Sequence, residues 1–187
     1  GHVHGCDVWE YRARDADASA RFDRAMRENS AAAADAVATA FDFAPVRRLV
    51  DVGGGDGALL AGLLRRHPGL HGTLMDRAHV VARAADVLAA AGVSGRCAVV
   101  AGDFFAAVPG DHRAAPGDAY LLKAILHDWD DPDAARILAV VRAAMPATAP
   151  LLVVERILAP PNQGAEGRLS DLNMLVNTGG RERTAPE

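Results

Sequence analysis

The chain has 187 residues, 50% of them hydrophobic, and 24 acidic against 20 basic side chains leave a formal charge of -4. That length suits one well-cored domain. The acidic balance, with Arg47-Arg48 and Arg65-Arg66 the only adjacent basic pairs, argues against nucleic acid as a partner.

No apolar run can span a bilayer and the N-terminus is not signal-like, so no membrane partner is expected. Cys6 and Cys97 are too few for a disulfide framework and read as free thiols of a reducing, cytoplasmic compartment. Residues 1–29 carry Trp9, Tyr11, Phe22 and Met26 between charges, and the i, i+4 spacing of Phe22 and Met26 predicts one apolar helix face. Ser30 is a good N-cap for an alanine-rich helix over 31–41, and Pro45 ends that unit. Leu49 to Val52 is a short apolar run entering a glycine cluster, the pattern of a buried parallel strand. Leu59, Leu60, Leu63 and Leu64 then give helical spacing over 58–67. A strand over 72–76, an amphipathic helix over 79–91 ended by Gly92, and strands over 97–100 and 118–123 follow. Asp131 as N-cap and Pro132 in the first turn, where its missing N–H costs nothing, predict a helix start. Ile137, Leu138, Val141 and Met145 form that helix's buried stripe. A fifth strand spans 151–155, and only a helical stretch near 168–177 comes after it.

Short apolar strands alternating with helices predict an α/β fold, a doubly wound sheet with helices on both faces. The fifth strand would be an uncovered apolar edge, which native proteins avoid, so more sheet is expected beyond residue 187. The start at Gly1 without a methionine and the stop at Glu187 also read as a chain truncated at both ends. His67 and His71 are separated by Pro68 and Gly69 and cannot share a helical face, and His2 and His4 sit at a loose terminus. No metal site is expected.

Gly53, Gly55 and Gly57 follow a strand and precede a helix, where backbone N–H groups can meet an anion or nucleotide closely. Alone the turn is ambiguous: residues 53–58 satisfy the dinucleotide pattern G-x-G-x-x-A, and a ligand-free tight turn fits as well. Asp76, ending the second strand, suits both hydroxyls of a ribose, a group that NAD and S-adenosylmethionine share. Asp51 and Asp56 would repel a pyrophosphate and suit the cationic amino-acid part of S-adenosylmethionine; their plainer roles are a turn anchor and a solvated charge. His127 lies four residues past Lys123 at the carboxyl end of the fourth strand, where open α/β sheets bind ligands. Asp128 and Trp129 follow it, and Glu155 ends the next strand, an acid placed to hold a histidine tautomer.

Asp51-Val-Gly-Gly-Gly-Asp-Gly57, Met75-Asp76, Gly102-Asp-Phe-Phe105, Lys123 to Trp129 and Gly179-Gly-Arg-Glu-Arg-Thr184 occur in the same order as in one family. Over essentially the whole chain the sequence resembles the S-adenosylmethionine-dependent, metal-independent small-molecule O-methyltransferases. That group contains plant caffeate and flavonoid enzymes and bacterial antibiotic-tailoring enzymes. The glycine turn is a weak motif; Gly-Asp-Phe-Phe combined with Lys-x-x-x-His-Asp-Trp is specific. The resemblance implies a Rossmann-like methyltransferase sheet, S-adenosylmethionine as cofactor and S-adenosylhomocysteine as product. It implies cofactor contacts from Asp51, Gly53, Gly55 and Asp76, an adenine hydrogen bond to Asp103, packing of Phe104 on adenine, and Lys123, the sole lysine, on the cofactor's polar groups. His127 would be the general base, flanked by Glu155 and Glu182. Phe22 and Met26 would face the substrate by similarity, although a plain helix-face core fits them equally. Asp128 and Trp129 join them, as do Met174 and Asn177 by placement near Glu182.

The implied reaction is direct displacement: a phenolic hydroxyl of a small aromatic acceptor loses its proton to His127 and attacks the sulfonium methyl. Residues 1–29 would be an N-terminal helical segment contributing to the substrate pocket, and 30–187 the S-adenosylmethionine-binding catalytic domain. Family members carry an N-terminal dimerisation domain before this region and further strands after it, so a homodimer is expected of the full-length protein. Two rival readings stand beside it: an NAD-dependent dehydrogenase, and a non-catalytic or divergent S-adenosylmethionine-binding homologue. The alanine- and arginine-rich, lysine-poor composition points to a high-GC bacterial gene and an antibiotic or pigment pathway.

Overall fold

The computed structural model describes residues 5, 6, 8–111 and 117–187, without the side chains of 23, 27–29, 31 and 32; His2 and His4 lie outside the described residues. The chain opens with helix α1 (Val8–Arg14) and the long helix α2 (Ala16–Ala40). Asp15 between them is extended, and its carboxylate accepts the N–H of Ala18 at 2.9 Å, satisfying one of the donors a helix start leaves orphaned. Alanine then carries α2 without a break past residue 30. Ser30 is therefore a mid-helix residue and not the N-cap its type suggested; the cap lies fifteen residues earlier.

Five strands follow: β1 (Arg48–Val52), β2 (His71–Asp76), β3 (Cys97–Ala101), β4 (Asp118–Lys123) and β5 (Leu151–Val154). All pair in parallel in the order β3-β2-β1-β4-β5, with Leu49 opposite Gly72 on one side and Ala119 on the other. Between them run α3 (Ala58–Arg66), α4 (Ala78–Val81), α5 (Ala84–Ala90) and α6 (Asp131–Ala144), and α7 (Ala165–Asn177) comes last. The helix expected over 79–91 is two pieces. At Arg83 ψ is -8° and its N–H turns back to Val80 O at 3.3 Å, a 3-10 closure that breaks the longer ladder. Asp130, not Asp131, caps α6, accepting the N–H of Asp133 at 3.0 Å.

Alternation along the strands divides the core between two faces. Leu49, Leu74 and Leu121 pack with Ala34 and Val37 of α2, with Leu60, Leu63 and Leu64 of α3, and with Leu88 of α5. Val50, Val52, Tyr120 and Leu122 pack on the other face with Ile137 and Val141 of α6 and with Met145. Helices thus cover both faces of a doubly wound sheet, as expected. β5 is the expected edge, with Val153 47% exposed, and α7 also presents Leu169, Leu172, Leu175 and Val176 to solvent at 57–75%.

α2 reaches α3 only because position 62 has no side chain: a Cβ there would lie 2.7 Å from the Cβ of Ala34. Substituting Gly62→Val forces the two helices apart and is expected to cost about 1–3 kcal/mol by overpacking. Denaturant unfolding should show it as a lower midpoint at unchanged slope.

Candidate active site

The chain leaves β1 toward β2 and leaves β4 toward β5, in opposite directions, so a crevice opens outside the carboxyl ends of these two neighbours. A cleft open to solvent occupies that place. Asp51 and residues 53–56 line it from β1, Asp76 from β2, Lys123, Ala124 and Ile125 from β4, and Trp9, Phe22 and Met26 from α1 and α2.

The glycine turn is shaped for close approach. Gly53, Gly55 and Gly57 have φ of +70°, +64° and +84°, a region that costs other residues strain. A Cβ on Gly53 would stand 2.4 Å from Ile125 Cδ1, whereas one on Gly55 would meet nothing within 4 Å. Asp76 is tied into this turn: its carboxylate accepts the N–H groups of Gly55 at 2.8 Å and Arg77 at 2.7 Å, and burial still raises its pKa. Asp51 is 1% exposed, and its Oδ2 has no hydrogen-bond partner. Burial, reinforced by the charge of Asp76 and opposed by Lys123, pushes its pKa up to about 7. An unpartnered buried carboxylate oxygen on a cleft wall is a place for a cation. Lys123 Nζ donates to Ser30 Oγ at 3.2 Å, and desolvation lowers its pKa. Phe104 lines the cleft. Asp103 is exposed, accepts the N–H of Phe105 at 2.8 Å, and is not among the cleft-lining residues.

The histidine stands in a single 3-10 turn, Leu126–Asp128, directly after β4. Its Nδ1 lies 3.2 Å from Glu182 Oε1 and 3.5 Å from Glu155 Oε2. Glu182 is 1% exposed, and its Oε1 also accepts the Ser170 hydroxyl at 2.6 Å, while its N–H donates to Asp171 Oδ1 at 2.9 Å. Glu155 Oε1 is engaged by the N–H groups of Ile125 at 2.9 Å and Leu126 at 2.8 Å. With two acids at Nδ1, the hydrogen of the neutral ring belongs there and Nε2 carries the basic lone pair. The donor atoms of the three residues lie within 4.8 Å of one another, so a cation taken up at Nδ1 would displace the hydrogen that keeps Nε2 basic. Nε2 is 3.9 Å from Asp128 Oδ1, and desolvation pushes Asp128 up to about 6 against the favourable charges of His127 and Arg12. The His127 side chain keeps 18% exposure; His127, Glu155 and Glu182 are not themselves among the cleft-lining residues, which here are Ile125, Asp128 and Trp129.

Part of the cleft lining is aromatic. Trp129 stacks on Trp9 with ring centroids 6.2 Å apart at 16°, Phe22 meets Trp9 edge-on, and the Arg12 guanidinium lies 3.5 Å from the Phe22 ring centre. Phe22, Met26, Asp128 and Trp129 thus reach the cleft, whereas Met174 and Asn177 on α7 are not among its lining residues. The sequence assigned no site role to Arg12, Ser19, Ser30, Arg77 or His79, which also line it. Trp9 and Arg12 carried a weak signal, one helical turn apart on α1, but nothing local tied that helix to residue 129.

The O-methyltransferase domain profile matches residues 1–187. The chain belongs to that family. It is 46% identical over 187 residues to the O-demethylpuromycin-O-methyltransferase of Streptomyces alboniger, covering 97% of this chain and 48% of the relative. It is 42% identical to the phenazine O-methyltransferase of Lysobacter antibioticus, covering 98% and 52%. Among solved structures, an O-methyltransferase from neocarzinostatin biosynthesis, in complex with S-adenosylmethionine and 2-hydroxy-5-methyl naphthoic acid, superposes with a TM-score of 0.85. It is 36% identical, with 97% of this chain and 53% of that one covered. The chain spans about half the length of the curated relatives it matches.

A dinucleotide would bring a pyrophosphate against Asp51 and Asp56, whereas the unpartnered oxygen of Asp51 suits a ligand's ammonium group. Because the folded pKa of Asp51 lies near 7, above its ordinary value of 3.8, the native state holds its proton more tightly than the unfolded chain. Stability is therefore lost as pH rises through that window. Replacing Asp51→Asn should flatten this fall between about pH 4 and 7 and stabilise the ligand-free protein above it. Chemical denaturation across pH, with and without the substitution, checks it; an unchanged slope would refute the assignment.

Proposed function

We propose that the intact protein is an S-adenosylmethionine-dependent O-methyltransferase of antibiotic-tailoring type. It moves a methyl group to a phenolic hydroxyl of a small aromatic acceptor, with His127 as general base and without a metal. The observation that carries this reading is the imidazole held by Glu182 at 3.2 Å and flanked by Glu155, beside a glycine cradle with an unpartnered acid. Asp51, Gly53, Gly55, Asp76, Phe104 and Lys123 would hold the cofactor, with Asp103 assigned to adenine by resemblance alone. When bound, S-adenosylmethionine supplies a sulfonium methyl whose C–S electron pair leaves with sulfur as the acceptor oxygen forms its new bond.

The residues of this chain do the rest. Glu182 keeps the hydrogen on Nδ1, so Nε2 takes the phenolic proton, and Glu182, Glu155 and Asp128 stabilise the imidazolium that results. A neutral imidazole can deprotonate a phenol of pKa about 10 during attack, for a gain of about 10²–10⁴-fold, and holding the two reactants in line contributes at least as much. Phe22, Met26, Asp128 and Trp129 would seat the acceptor ring; Met174 and Asn177 share a helix with Ser170 and Asp171, which hold Glu182. Residues 1–29 would act as the segment completing the acceptor pocket, in keeping with Trp9, Arg12, Phe22 and Met26 on the cleft wall. The exposed apolar residues of α7 support a homodimer of the longer protein, and the free thiols Cys6 and Cys97 support a cytoplasmic setting.

Calorimetric titration of the full-length protein should show binding of S-adenosylhomocysteine and none of NADH. Methyl transfer to a panel of phenols should survive a chelator. His127→Ala should lower kcat by about 10²–10⁴-fold while leaving affinity for S-adenosylhomocysteine within about twofold. Binding of NADH alone would overturn the methyltransferase reading, and full activity without His127 would remove it as the base.

A further inference from the structure

We infer that Arg183 is a positioning residue for the base: its guanidinium grips the carbonyl groups of the 126–129 turn and so sets where the His127 ring stands. The inference rests on His127 being the general base. A single 3-10 turn has little stability of its own. This one is closed by the bonds from Asp128 N–H to Ile125 O and from Trp129 N–H to Leu126 O, each 3.2 Å. It is entered through Ala124 at φ 55°, a left-handed conformation that a non-glycine residue keeps only when its surroundings enforce it.

Two side chains enforce it from opposite ends. Glu155 takes the turn's leading N–H groups, those of Ile125 and Leu126. Arg183 donates from Nη1 to Leu126 O at 2.9 Å and from Nη2 to Trp129 O at 3.1 Å. An anion on the donors and a cation on the acceptors is the arrangement that peptide dipoles favour. Arg183 is itself fixed by Asp131, whose Oδ1 accepts from Nη2 at 2.8 Å and from Nε at 3.2 Å. Only a planar fork can serve two carbonyls and a carboxylate together; a lysine ammonium is a point charge.

The preceding residue holds the other half of the same turn. Glu182 engages the His127 ring while Arg183 engages the carbonyls on either side of it. Gly180 lets the segment lie this close, since a Cβ there would fall 2.1 Å from His127 O. The distance from ring to Glu182 is thus set by where Arg183 pins the backbone. Without Arg183 the turn keeps its hold at Glu155 and loses the one at its far end, so the ring swings away from Glu182.

The test uses the full-length enzyme with Arg183→Ala, Arg183→Lys and Asp131→Asn. It reads kcat and KM for a phenolic acceptor, calorimetric affinity for S-adenosylhomocysteine, and the imidazole nitrogen shifts of His127, which report the Nδ1–H tautomer. Arg183→Ala should lower kcat about 10- to 100-fold, leave S-adenosylhomocysteine affinity within about twofold, and shift the tautomer signature. Arg183→Lys should recover part of kcat, and Asp131→Asn should lose less than Arg183→Ala. A kcat within about threefold of wild type with unchanged imidazole shifts would overturn the inference. So would parallel loss of cofactor affinity and thermal stability, which marks a general structural role. If the alanine variant does not fold, the lysine variant carries the same comparison. If the wild type transfers no methyl group, the function proposed above fails, and the imidazole shifts still decide the role of Arg183.

Discussion

Carboxylates brought out of water at the carboxyl edge of the sheet are the constraint on which the rest of this site depends. A buried charge is tolerated only where hydrogen bonds or opposite charge replace its hydration. Asp76 takes two N–H groups from the glycine turn and its own strand end. Glu155 takes two from the turn after β4, and Glu182 takes a hydroxyl and the imidazole. Both loops of the site are therefore wrapped around acids. The left-handed glycines at 53, 55 and 57 and the left-handed Ala124 are the backbone's response to aiming N–H groups inward.

Asp51, Glu155 and Glu182 each keep one buried oxygen without a hydrogen-bond partner, but the two glutamates stand beside the imidazole of His127 whereas Asp51 stands beside the glycine turn. One of its oxygens finds no partner, and burial raises its pKa to about 7. A protein built only for stability would place an apolar residue there. A buried acid there weakens the ligand-free fold unless an opposite charge approaches it. The two acids beside His127 are held by backbone and by Ser170, so the imidazole has a fixed orientation.

How much of this was legible depended on the range of the interaction. Buried parallel strands read directly from apolar runs at 49–52 and 118–123, because both faces of such strands are covered. Ser30 misled, because residue type suggests a cap wherever a helix could begin, and only the ladder running on from Asp15 shows that it does not begin there. The helix over 79–91 had the right periodicity, and its break at Arg83 lay in backbone angles that periodicity does not carry. Trp9 and Arg12 went unassigned, since their place against Phe22 and Trp129 depends on where α1 docks.

The sequence by itself determined the α/β class, the glycine turn, and the residue types of an acid–histidine site, because these follow from local periodicity and short motifs. Only the tertiary structure decided that Glu155 spends one oxygen on backbone N–H groups, that Glu182 meets Nδ1, and that Arg183 holds the same turn from its far end. It likewise left His127, Glu155 and Glu182 behind the cleft lining rather than in it, and Asp103, Met174 and Asn177 outside that lining. The reason is physical: each contact joins segments separated by tens of residues, and their approach is set by sheet order and by the need to satisfy buried charge. No local pattern encodes that approach.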